Sequence, residues 1–402
     1  MIYLVFALNF QERKSKFMFK WIVFNIILVA AISAAQSPVP ELLKCTDGTQ
    51  VTSKAQWKSK RRGEILELFK THVYGRNPVG KPADLKFEAL SPDKEMMDGK
   101  ALRKRVKVSF SGPGGKHSFV FTAFIPKSKK PSPAFVLICN RGYENIDPDR
   151  IEKSPFWPAE QIVDRGYAAL AFKNDELDPD FDDGWTNGIH QIFQPDPKQR
   201  NSDSWGTLAA WAWGASRIMD WIETEPLIDA KHVAVLGHSR GGKAALWCGA
   251  QDTRFALTIS NDSGCGGAKL NRMDLPKSES IAVINKRLGY WFCEKFKDYS
   301  GNKDKLPLDQ HMLIALMAPR LVYVASASLD DWAGQPGEFK SCVLASPAWK
   351  LYGLKGLEAT EFPKPDAFIQ IGHVGYHLRS GKHNLTEFDW HRYMDFADKH
   401  WR

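Results

Sequence analysis

The pentapeptide Gly237-His238-Ser239-Arg240-Gly241 constrains this chain more than any other feature. It follows the apolar run at 232–236 and precedes residues 242–247, whose composition suits a helix. A G-x-S-x-G between a strand and a helix places its serine on a sharp, strained turn with the hydroxyl exposed. Such a turn leaves no room for side chains two residues to either side, and Gly237 and Gly241 meet that demand. The competing local reading is a glycine-rich connection whose serine only caps the following helix.

The rest of the chain supplies a scaffold for that turn. Residues 119–124, 134–139, 167–172, 233–236, 256–260, 321–325 and 367–371 read as strands. The middle and later runs are apolar throughout rather than alternating, as in strands buried on both faces of a parallel sheet. Helical patterns lie between them. Residues 204–225 carry Leu208, Trp211, Ala212, Ala215, Ile218, Met219 and Ile222 at three-four spacing, and Pro226 ends the run. Residues 385–401 read as a closing helix capped near Asn384. This alternation predicts an α/β fold, a mostly parallel central sheet with helices on both faces. Ligand sites in such sheets lie outside the carboxyl ends of the strands. Two long stretches, 174–202 and 264–306, break the alternation and are expected to rim a substrate cleft.

The amino terminus is expected to be a targeting segment. Lys14, Lys16 and Lys20 precede an apolar run at 21–31 and the small residues Ser33-Ala34-Ala35. That order describes a secretory signal peptide over residues 1–35, cut after Ala35, with Met18 as an alternative start. The apolar run is short for a membrane span, and no other run could cross a bilayer. The expectation is a secreted or periplasmic protein whose remaining chain, 36–402, is a single catalytic domain. The whole chain carries a formal charge of +9. Arg13, Lys14, Lys16 and Lys20 against Glu12 take three of those charges away with the leader, leaving about +6. A mildly basic surface suits an anionic polysaccharide and equally an ordinary solvated surface. No Lys/Arg run points to nucleic acid. Cys45, Cys139, Cys248, Cys265, Cys293 and Cys342 would be permitted disulfides in an exported chain, though Cys139 and Cys248 lie in apolar elements and read as buried thiols. No cysteine/histidine cluster suggests a metal.

A serine nucleophile needs a base and an orienting acid, and on this kind of sheet they follow it in the order acid, then histidine. The run at 321–325 leads into Asp330 and Asp331, and the run at 367–371 leads into His373, His377 and His383. Asp262, after the run at 256–260, is a third candidate acid. The spacing alone leaves both the acid and the histidine open. For the oxyanion hole, the backbone N–H of Arg240 is one donor, and a second is expected from Asn140-Arg141-Gly142. Each such donor is worth about 3 kcal/mol of barrier.

Several motifs together resemble the glucuronoyl esterases, carbohydrate esterase family fifteen, in their bacterial branch. They are Ser204-Trp205-Gly206 and the run to Trp213, the elbow continued through Gly242-Lys243, residues 260–267 beginning Ser260-Asn261-Asp262, and residues 309–320 ending Ala318-Pro319-Arg320. The resemblance covers the chain from about Leu42 to its end. It implies an α/β-hydrolase fold and hydrolysis of the ester joining 4-O-methyl-D-glucuronic acid of glucuronoxylan to lignin alcohols. It implies no cofactor. By the family's G-C/H-S-R-x-G-K motif, Ser239 is the nucleophile, Arg240 helps hold the oxyanion and Lys243 contacts sugar hydroxyls. The bacterial D-x-W matches Asp330-Asp331-Trp332, making Asp330 the acid and Trp332 a sugar contact. The family's glutamate best matches Glu279, although Ser278-Glu279-Ser280-Ile281 departs from the pattern at two residues. Gly381-Lys382-His383-Asn384-Leu385-Thr386 picks His383 as the base. Fungal members carry the acid where Asp262 stands, so Asp262 is the alternative acid. A monomer is the expected state.

Two other readings fit the elbow. One is a different hydrolase on the same fold, such as an acetylxylan esterase or a peptidase. The other is a non-catalytic carbohydrate-binding protein on a hydrolase scaffold, which would require a broken triad.

Overall fold

Apolar residues on both faces of its central strands force this chain into layers. The strands are β1 (Lys86–Ala89), β2 (Lys94–Met96), β3 (Ala101–Gly112), β4 (Gly115–Pro126), β5 (Ser132–Cys139), β6 (Ala168–Lys173), β7 (Ile228–His238), β8 (Leu257–Asn261), β9 (Leu321–Ala327), β10 (Phe368–Ile369) and β11 (Val374–Arg379). Within β5, Val136 and Ile138 enter one core with Trp211, Leu246 and Trp247. Phe135 and Leu137 enter the other, with Trp157, Trp390 and Tyr393. Both cores are closed by helices, so no face of the central strands meets water.

The computed structural model describes residues 38–402. The expected signal peptide, its cut after Ala35 and the start at Met18 lie outside the described residues. From Pro40 to Arg402 the chain builds one unit around an 11-stranded sheet. The spatial order is β1-β3-β4-β6-β5-β7-β8-β9-β11-β10, with β2 on β3. Neighbours from β6 through β11 run parallel. The strands before β5, and β10, attach antiparallel. Among the described residues no helix is long and apolar enough to cross a membrane.

Register sets the functional edge. His238 pairs with Asn261, Asn261 with Ala325 and Ala325 with His377. The carboxyl ends of β7, β8, β9 and β11 are therefore level, and the loops that leave them emerge side by side.

Two expectations need correction. The run at 367–371 is not the last parallel strand: β10 spans only Phe368–Ile369 at the sheet edge, and β11 takes the inner place. The polar residues of β11 disguised it, because His377 and Arg379 are buried against Asp389 of the closing helix. His377 consequently lies inside a strand and not on a loop. The closing helix is Glu387–Trp401, and its cap is Thr386 rather than Asn384, with Asp389 completing a capping box. All six cysteines, each among the described residues, are buried free thiols, as read for Cys139 and Cys248, and the disulfides an exported chain would permit are not formed between them. Burial pushes Cys139, Cys265 and Cys293 each up to about 12. The helix expected at 204–225 forms as Thr207–Ile222 and is buried almost all round. The antiparallel β1–β3 carried no apolar run and escaped the sequence reading.

Candidate active site

Ser239 sits between β7 and the helix Arg240–Gln251 with φ 57° and ψ −126°, a strained conformation for a residue with a Cβ. The chain around it enforces that conformation. A Cβ on Gly237 would lie 2.2 Å from the Gly241 carbonyl carbon, and one on Gly241 would lie 2.9 Å from the Ile138 carbonyl oxygen. The Ser239 N–H donates to the Asn261 carbonyl at 2.8 Å, tying the turn to the end of β8.

Ser239 opens into a cavity of about 480 Å³, shared with Arg240, Lys243, Asp262, Glu279, Trp291, Trp332 and His383. His383, on the loop after β11, reaches Asp330 on the loop after β9, with Nδ1 and Oδ2 2.5 Å apart. Asp330 is buried, and its other oxygen accepts from the Ala333 N–H at 3.3 Å. The adjacent Asp331 points away, 3.8 Å from Lys277 Nζ. Of the other two candidate histidines, His377 is bound to Asp389 at 2.8 Å and His373 faces His400. Neither lines the cavity.

Asp262 is close but differently engaged. Its Oδ1 accepts from the Ala327 N–H at 2.6 Å, and its Oδ2 lies 3.7 Å from the Arg379 guanidinium and 3.9 Å from His238. Burial, then the nearby Glu338, Asp330 and Asp389 carboxylates, raise its pKa well above the usual carboxylate range. Ligand atoms of Asp262, Asp330 and His383 lie within 4.8 Å of one another, a spacing that could hold a metal ion. The short His383–Asp330 contact instead turns two of those atoms toward each other.

The candidate sugar contacts also converge. Lys243 is buried and donates to Glu279 Oε2 at 3.1 Å and to the Ser263 carbonyl. Glu279 further accepts from the Cys265 N–H at 3.1 Å and from Trp332 Nε1 at 3.0 Å. Trp332 keeps 40% of its surface exposed at the rim. One carboxylate thus fixes a buried cation and an open aromatic face on the same wall.

Some of this was not legible. Asn140-Arg141-Gly142 are not among the residues lining the cavity, and Arg141 lies over the Phe156 ring. His238 packs its ring 4.3 Å from that of His383, and burial holds its pKa well below the usual imidazole value, so it is a neutral neighbour. Trp291 and the helix Ile281–Leu288 line the cavity from the second long stretch. The first stretch contributes Asp180, which touches Arg240. Both long stretches thus reach the site, but no local motif marks which residues do so.

A serine on a strained strand-to-helix turn, backed by strand-end loops of a mostly parallel sheet, defines an α/β-hydrolase. A family model described as "Glucuronyl esterase, fungi" matches residues 108–353. The carbohydrate esterase MZ0003, from an unknown prokaryotic organism, is 39% identical over 391 residues, 90% of this chain and 89% of that one. The 4-O-methyl-glucuronoyl methylesterase of Schizophyllum commune is 30% identical over 84% of this chain and 77% of its own. The solved glucuronoyl esterase from Solibacter usitatus superposes with TM-score 0.85 at 36% identity, over 91% of this chain and 98% of that one. This chain belongs to the glucuronoyl esterase family and is a carboxylic ester hydrolase.

Proposed function

We propose that this protein is a secreted esterase that cleaves the ester between 4-O-methyl-D-glucuronic acid of glucuronoxylan and lignin alcohols, through an acyl-enzyme on Ser239. The observation that carries this reading is the His383–Asp330 pair facing a cavity shared with Ser239, Arg240, Lys243 and Glu279. Asp330 accepts a hydrogen bond from the Nδ1–H of His383, which leaves Nε2 free to act as base. His383 removes the Ser239 hydroxyl proton as Oγ attacks the glucuronoyl carbonyl carbon. The carbonyl oxygen becomes an oxyanion beside the Arg240 backbone N–H and guanidinium, a full charge stabilising more than a neutral donor.

Collapse of that intermediate breaks the bond to the alcohol oxygen, and His383 returns the proton to it. Water then repeats the sequence on the acyl-enzyme, releasing glucuronate and restoring Ser239. Lys243 and Glu279 supply a fixed donor and acceptor for sugar hydroxyls, and Trp332 offers a ring face to the sugar. Burial, then the surrounding carboxylates, push Asp262 toward its neutral form, which suits a neighbour of the His383–Asp330 pair rather than a second triad acid. The single domain follows a signal peptide over residues 1–35, acts without a cofactor and works as a monomer.

The test is substrate preference. Purified protein should release benzyl alcohol from benzyl glucuronate. Turnover of acetylated xylan with none of the glucuronate ester would overturn the reading in favour of another carbohydrate esterase.

A further inference from the structure

Asp180 lies in the long connection after β6, far in sequence from the elbow, yet its carboxylate meets Arg240. Asp180 Oδ2 is 2.5 Å from Arg240 Nε, a charge–charge contact whose N–H lies off the hydrogen-bond line. The other oxygen, Oδ1, accepts from Tyr290 Oη–H at 2.9 Å and from Trp291 Nε1–H at 2.8 Å. The Trp291 ring in turn lies under the guanidinium, 5.8 Å from Cζ. Asp180 is therefore clamped from the second long connection, and it holds the Nε side of Arg240. Among the described residues no protein atom accepts a hydrogen bond from either Nη group, and Arg240 lines the cavity beside Ser239.

We propose that Asp180 is a positioning residue for catalysis: it pins the Nε side of Arg240 so that the Nη donors stand ready where negative charge develops. An arginine on its own samples many rotamers, and ordering it during the reaction would add to the barrier. A donor already in place adds nothing at that moment. The fork of the guanidinium suits the task, since one edge can be fixed while the other stays free. The inference rests on the reading of Arg240 as an oxyanion donor. It adds a residue that acts only through Arg240, supplied by a segment with no catalytic motif.

A double-mutant cycle tests it. kcat and KM for benzyl glucuronate are measured for wild type, Asp180→Asn, Arg240→Ala and the double variant, with thermal midpoints for each. Asparagine keeps an acceptor for Tyr290 and Trp291, so the clamp survives while the charge is lost. Arg240→Ala should lower kcat on the order of a hundredfold, the scale of one lost oxyanion donor. Asp180→Asn should lower kcat about tenfold with KM nearly unchanged, and should have no further effect once Arg240 is absent. Tyr290→Phe removes one donor to Asp180 and should show a smaller loss with the same dependence on Arg240. Equal losses in both backgrounds, or none from Asp180→Asn, would overturn the role of Asp180 alone. An unchanged kcat in Arg240→Ala would overturn the role given to Arg240 first.

Discussion

In the Asp330→Asn variant the side chain keeps its shape while its hydrogen-bonding pattern is reversed. In the native site Asp330 Oδ2 accepts from His383 Nδ1 at 2.5 Å and Oδ1 accepts from the Ala333 N–H at 3.3 Å. An asparagine that keeps the Ala333 bond must turn its amide toward His383. Nδ1 then accepts, and the imidazole proton moves to Nε2, where the base needs a lone pair. A serine triad with the wrong tautomer loses about 10⁴ in kcat, some 5 kcal/mol of barrier. Asp262→Asn should behave otherwise. Burial and the surrounding carboxylates shift its carboxyl toward the neutral form, which asparagine resembles. Its oxygen can still accept from the Ala327 N–H. The expected change is about twofold, the scale of a ~0.5 kcal/mol perturbation. Steady-state hydrolysis of benzyl glucuronate at pH 7, with thermal midpoints as a folding control, separates the two. A collapse in Asp262→Asn beside an active Asp330→Asn would refute the assignment of the acid.

Other perturbations follow from the same geometry. Glu338 is fully buried, accepts from the Ser263 and Gly264 N–H groups and from Ser326, and burial pushes it up to about 7. A raised folded value means the native state holds a proton that the unfolded chain has lost. Stability should therefore fall by roughly 3 kcal/mol as pH rises from about 4.5 to 7. Denaturant unfolding at pH 5 and 8 should show that loss in wild type and a flatter dependence in Glu338→Gln. Gly237→Ala should abolish soluble folded protein, because its Cβ would meet the Gly241 backbone at 2.2 Å, whereas Gly63→Ala meets nothing within 4 Å and should fold. Expression yield and circular dichroism decide between them. With six buried free thiols, a reducing agent should leave the thermal midpoint unchanged.

How far the sequence could be read depended on whether a function is local or assembled. The elbow is local: two glycines, a serine and the flanking strand and helix are adjacent, so the turn around Ser239 was visible. The parallel strands were visible too, since burial on both faces leaves continuous apolar runs such as residues 134–139. β11 was not, because His377 and Arg379 break its pattern and are satisfied by Asp389, twelve and ten residues away. Among the site residues, spacing alone left Asp330 and Asp331 open and only the family motif pointed to Asp330; the loop's path turns Asp330 toward His383 and Asp331 toward Lys277. The rim is the least legible part. Asp180 and Trp291 reach the site from the two long connections, and no spacing rule announces them.

The central claim is that Ser239 performs the ester cleavage. The most direct measurement is release of benzyl alcohol from benzyl glucuronate by wild type and by Ser239→Ala at equal concentrations of folded protein. Loss of a serine nucleophile costs on the order of 10⁶ in kcat, so the variant should fall to the background of the assay. A Ser239→Ala protein that still turns over the ester within tenfold of wild type would contradict the account.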